Sequence, residues 1–146
     1  MTDATEYTEI AQELLDLPFH RKTGVEIERA SPDDGRTRIP YDESLVGNPE
    51  VEAIHGGVLA ALADLTGAVP FVATREAYTP TVDLRVDYLS HASTADLIGE
   101  ATVLRRGSTL GVADVTIRAD GVDCVSARGV YKLTERPLDR PDRDDR

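Results

Sequence analysis

One cysteine, no tryptophan and few lysines set the first limits on this chain of 146 residues. Cys124 alone excludes an intramolecular disulfide and any thiolate metal cluster, and its strand-like surroundings point to a buried thiol. The three histidines, His20, His55 and His91, are scattered, and no HExxH spacing exists, so no metal site is expected. Basic stretches are missing as well. With 27 acidic residues against 16 basic ones the net charge is −11, which repels polyanions, so neither nucleic acid nor an anionic membrane is expected as a partner. The stretch from Met1 to Glu9 lacks the basic and apolar regions of a secretory signal, which places the protein in the cytoplasm. Aromatic residues make up only 5%, so the core is to be built from Val, Leu, Ile and Ala.

Of the basic residues only Lys22 and Lys132 are lysines, leaving 14 arginines. Arginine beside a large acidic excess fits a protein adapted to high salt. It fits a high-GC genome equally well, and neither explanation carries a function.

The length suits a single domain, and the composition divides it into residues 1–134 and a tail, 135–146, of charge and proline that is expected to fray. Tyr7, Ile10, Ala11, Leu14 and Leu15 recur at helical spacing, and Pro18 closes that helix. Gly24 to Ala30 and Arg36 to Pro40 read as a hairpin around Asp33-Asp34-Gly35. Residues 41–54 show no period and form a loop. Thr81 to Ser90 alternates, with Val82, Leu84, Val86 and Tyr88 on one face, as a half-buried strand does. Three further strands follow at 96–105, 108–118 and 122–133. Between the two groups of strands, Gly56 to Thr74 is apolar on nearly every side, so an antiparallel sheet of about five to six strands is expected to wrap one long helix, an α+β fold. That run is long enough to span a membrane, but Asp64, Gly67 and Pro70 within it argue against this.

Asp64 is the only ionisable residue between Gly56 and Thr74. A carboxylate in a core helix is costly unless paired or hydrogen-bonded, so it needs a reason. On a helical wheel it shares its face with Gly57, Ala60, Ala61, Gly67, Ala68 and Phe71, mostly small residues that let a ligand or a partner backbone approach. The bland alternative is a structural Asp bonded to a neighbouring strand or helix. Nine positions earlier stands His55-Gly56-Gly57. Glycines at a helix start leave free amides at its positive end, suited to an oxygen that gains negative charge; they would equally permit a tight turn. Amides in one place and a carboxylate in another are what hydrolysis of an activated acyl group requires. About 10 Å of helix separates Gly57 from Asp64. Either a water bridges that distance within one chain, or the amides of one subunit face the Asp of another; the second makes an obligate dimer. A serine-hydrolase reading of the HGG string fails for want of a G-x-S-x-G elbow.

Asn48, then His55-Gly56-Gly57, then Asp64, then Thr81-Val82-Asp83-Leu84 together resemble the PaaI-type acyl-CoA thioesterases of the hotdog fold, over roughly Gly24 to Leu133. The resemblance implies a helix wrapped by an antiparallel sheet, and a homodimer or a tetramer formed as a dimer of dimers, with acyl-CoA across the interface. It also implies that the Gly56 amide polarises the thioester carbonyl, that Asp64 of the facing subunit acts as base or nucleophile, and that Thr81 helps hold the water. Asn48 becomes a second carbonyl donor, although its distance from His55 is one residue longer than the family pattern. His55 either orients the loop, contacts the ligand or caps its own turn. Arg85, Arg105 and Arg106 are candidates for the coenzyme A phosphates; a solvated strand edge would also account for them.

The expected function is hydrolysis of an acyl-CoA thioester without metal or redox cofactor, coenzyme A entering only as part of the substrate. Two alternatives stand beside it: a non-catalytic acyl-CoA-binding protein, and an acyl-thioester hydratase or dehydratase, for which His55 and Asp64 would have to converge between subunits.

Overall fold

Asp3 opens the first helix by accepting a hydrogen bond from the Glu6 amide at 2.9 Å, and the apolar spacing that follows carries helix α1 over Ala4–Leu14. The computed structural model describes residues 2–134, so the tail expected from position 135 lies outside the described residues. Pro18 does not merely close α1. It sits at the start of a second helix, α2 (Pro18–Thr23), where no amide hydrogen is needed, and Gly24 ends that helix with a φ of 75°.

Strands β1 (Glu26–Ala30) and β2 (Asp34–Ile39) form the expected hairpin, with β2 starting two residues earlier than the turn signal suggested. The expected loop contains a 3-10 turn (Glu43–Leu45) and a small hairpin of β3 (Val46–Asn48) and β4 (Ala53–Ile54). Helix α3 (Gly56–Arg75) follows, then β5 (Thr81–Tyr88), β6 (Leu97–Arg106), β7 (Leu110–Ala119) and β8 (Val122–Lys132). The large sheet is antiparallel, in the order β1-β2-β6-β7-β8-β5.

Helix α3 lies across this sheet. Leu59, Leu62, Ala63, Thr66, Val69, Phe71 and Val72 are all buried, which accounts for a 20-residue apolar run without a membrane. Leu62 and Ala63 pack with Leu97, Val115, Ile117 and Val125 of the sheet. Leu65, Val69 and Val72 instead meet Ala11, Leu15 and Ile27, so α1 covers the far flank of the helix. A buried Thr37–Thr66 hydroxyl pair, 2.7 Å apart, ties β2 to the helix.

The two sheet edges differ. At β1, α1 supplies side chains to the open backbone: Thr8 Oγ1 accepts from the Ala30 amide at 3.0 Å and Gln12 Nε2 donates to the Ile27 carbonyl at 2.9 Å. At β5 the described residues offer no such cover. The apolar face of β5 is also more open than strict alternation suggested, with Val82 60% and Tyr88 55% exposed. The strand has only one sheet neighbour, and its pairing with β8 slips between Thr81 and Asp83, leaving Val82 as an extra residue. A long edge with exposed apolar residues invites a second strand.

Candidate active site

The approach to α3 is set by His55. Its amide donates to the Leu45 carbonyl at 2.8 Å, and its Nδ1 accepts from the Gly57 amide at 2.8 Å, so the imidazole caps the helix it precedes. The Gly57 amide, expected to face a ligand, is therefore occupied. The Gly56 amide is the one for which no acceptor exists among the described residues. It stands in the first turn of a 20-residue helix, where the backbone dipoles concentrate positive charge. From the other side the Tyr88 hydroxyl donates to the Gly56 carbonyl at 2.8 Å, fixing this turn to the end of β5.

Eight residues on, about 12 Å along the axis, Asp64 is half-buried rather than sealed in. Its Oδ1 accepts a 2.6 Å hydrogen bond from the Thr81 hydroxyl. The bulge makes this contact possible. In a regular strand Thr81 would share a face with Asp83 and Arg85. The extra residue Val82 switches the parity, so that Thr81 opposes buried Tyr131 while Leu84, Val86 and Tyr88 oppose Gly129, Ala127 and Val125.

Tyr131, which the sequence reading passed over, is fully buried and donates its hydroxyl to the Asp64 carbonyl at 2.8 Å. Its ring occupies room that two glycines leave: a Cβ at Gly67 would come 2.2 Å from the Tyr131 hydroxyl oxygen, and one at Gly129 would come 2.3 Å from it. Burial, and secondarily the negative charge of Asp64, hold the phenol well above its ordinary pKa, so it remains a donor. A signal existed in the glycine two places before this tyrosine and in the mid-helix Gly67. Both mark where something large must fit. Gly67 and Phe71, placed on the open face with Asp64 by the wheel, are buried against the sheet; Gly57, Ala60, Ala61 and Ala68 stay at least partly open.

The remaining candidates do not gather here. Asn48 Oδ1 accepts from the Glu50 amide at 3.0 Å and serves its own turn. Arg85 is exposed on β5 and reaches Asp87 at 3.4 Å. Arg105 is exposed near the end of β6. Arg106 is committed elsewhere: it donates to Thr74 Oγ1 at 2.8 Å and the Pro32 carbonyl at 2.6 Å, and lies 5.0 Å over the Phe71 ring. Its burial and the nearby Arg75 lower its pKa. It pins the far end of α3. Among the described residues no group of three His, Cys, Asp or Glu side chains could hold a metal. A cavity of about 270 Å³ lies beside α2, between Gln12, Leu15, His20 and Val25, without Asp64 in its wall.

Comparison with known proteins bears on this arrangement. The Thioesterase superfamily profile matches residues 52–126. A Halobacterium salinarum protein bearing the name "Putative esterase VNG_1336C" is 41% identical over 102 residues, or 64% of this chain and 65% of that protein, so the chain spans just under two thirds of that relative. The medium/long-chain acyl-CoA thioesterase YigI of Escherichia coli is 28% identical over 116 residues, 69% of this chain and 75% of that one. Among solved structures, a protein from the thioesterase superfamily superposes with a TM-score of 0.83 at 29% identity, covering 88% of this chain and 98% of its own. A Shewanella oneidensis protein related to the same superfamily gives 0.77 at 26% identity, covering 89% and 97%.

Proposed function

The chain belongs to the Thioesterase superfamily, hotdog-fold hydrolases of thioesters, and from that premise we propose that it cleaves acyl-CoA to a free acid and coenzyme A at a site shared by two protomers. The observation that carries this reading is the Asp64–Thr81 pair, half-open on a face of small residues. Superfamily membership supports a thioester as the bond broken. The acyl-CoA substrate is our reading, supported by the name of the Escherichia coli relative.

Within one chain the Gly56 amide and Asp64 are too far apart for one thioester carbonyl to touch both. A twofold partner resolves this, and the open β5 edge is the side on which it docks, since α1 covers β1. The Gly56 amide of one protomer then holds the carbonyl oxygen, where helix-end charge stabilises the developing oxyanion. Asp64 of the other protomer is the base or nucleophile. Because Thr81 donates its own proton to Oδ1, the lone pairs of its hydroxyl are left to accept from a water. As base, Asp64 takes that water's proton, the new C–O bond forms, and the thiolate leaves with a proton returned from Asp64. Water, carboxylate and amide suffice, so the reading calls on no metal or redox cofactor.

Incubation of the purified chain with acyl-CoA esters from short to long chain, followed with a thiol reagent, tests this. Thiol release that is strongest for some chain lengths is the expected result. Tight acyl-CoA binding with no release would support the binding-protein reading, and a water-addition product without release would support a hydratase. Light scattering should give a mass of two or four times the 15.9 kDa chain; a monomer would overturn the shared site.

A further inference from the structure

Resting on the acyl-CoA hydrolase reading, we propose that Tyr131 is a positioning residue for the reaction, whose hydroxyl holds the main chain of Asp64 so that the carboxylate stays in register with Thr81. Tyr131 and Thr81 are directly paired across β8 and β5. Two adjacent sheet positions thus grip one helical residue, Tyr131 at its carbonyl and Thr81 at its carboxylate. Thr81 restrains the carboxylate at Oδ1 and Tyr131 restrains the main chain that carries it, so the side chain is held from both ends.

A buried tyrosine needs some acceptor for its hydroxyl, and many helix carbonyls could serve. Three features set this one apart. The acceptor belongs to the reacting residue itself. That carbonyl already receives a hydrogen bond within α3, so backbone satisfaction does not call for a second. The phenol also passes between Gly67 and Gly129, where any side chain would collide with it, so helix and strand both leave room for a ring whose tip ends at Asp64. A leucine or phenylalanine would fill that space without reaching the carbonyl. Catalytic geometry tolerates about 0.5 Å of error, and a misplacement of about 1 Å can slow a reaction about a hundredfold. A hydroxyl that removes one degree of freedom from the carboxylate therefore acts on the rate.

The test compares Tyr131→Phe with Thr37→Val, which deletes another buried hydroxyl bonded to α3, at Thr66, without touching Asp64. Tyr131→Phe is expected to lower kcat about tenfold with KM within about twofold of the parent, while Thr37→Val keeps the parent kcat. Combined with Thr81→Val, Tyr131→Phe should cost less than the product of the two separate losses, because both act on one carboxylate. A parent-like kcat in Tyr131→Phe, or an equal loss in Thr37→Val, overturns the inference. Should Tyr131→Phe fail to fold, tyrosine labelled with ¹³C at Cζ decides: the Tyr131 resonance should move in Asp64→Asn and Thr81→Val, which alter the side-chain grip on the same residue, and no change in either would overturn the link. A parent chain that releases no thiol removes the hydrolase reading and this role with it. An active parent matched by Tyr131→Phe removes this role alone.

Discussion

Thr81 Oγ1 lies 2.6 Å from Asp64 Oδ1 because one extra residue, Val82, turns the start of β5 over. The carboxylate is thereby oriented by a strand that is also the open edge of the sheet. On the proposed reading, catalytic geometry and assembly surface share one element. A second protomer docking along β5 would order the same backbone that presents Thr81.

Replacing Asp64 with Asn keeps the side-chain volume and a hydrogen bond to Thr81 but removes the base. The rate of acyl-CoA hydrolysis should fall by at least about a hundredfold with an unchanged circular dichroism spectrum. A variant hydrolysing near the parent rate would remove Asp64 from the mechanism.

Gly67→Ala improves intrinsic helix propensity and should nevertheless destabilise, since its Cβ would stand 2.2 Å from the Tyr131 hydroxyl and 2.9 Å from Cζ. The expected loss is about 1–3 kcal/mol, typical of overpacking a core. Denaturant unfolding measures it; equal or greater stability would show that the tyrosine can move aside freely.

The raised pKa of Tyr131 predicts the alkaline limb of stability. Below its unfolded value of about 10 the phenol is neutral in both states and has no effect on the slope. Above that pH the unfolded chain loses a proton that the folded chain retains, so stability should fall by up to about 1.4 kcal/mol per pH unit from this group. Tyr131→Phe should lack that component. Identical slopes for parent and variant between about pH 10 and 11.5 would contradict it.

With a net charge of −11 the folded chain repels itself. Potassium chloride screens that repulsion, so the midpoint of thermal unfolding should rise from dilute buffer to molar salt. A midpoint that is highest at low ionic strength would favour the genome-composition explanation of the arginine excess.

Much of the fold was legible from pattern. Apolar residues on nearly every side of Gly56 to Thr74 demanded a helix wrapped by other structure, and alternation marked the strands that wrap it. Helix α2 escaped because six residues beginning with proline show too little periodicity to compete with the reading of Pro18 as a stop. The β3–β4 hairpin escaped because strands of three and two residues carry no period at all.

Sequence alone determined that a lone carboxylate would sit in a core helix nine residues after a His-Gly-Gly start, since local hydropathy and spacing are properties of the chain itself. Tertiary structure decided what surrounds each group. Which of the two glycine amides remains open depends on the His55 imidazole folding back, Thr81 faces Asp64 only through a bulge that no alternation pattern encodes, and Tyr131 arrives from a strand 67 residues away. Those contacts depend on register and close packing between distant segments, and such terms do not exist until the sheet has closed around the helix.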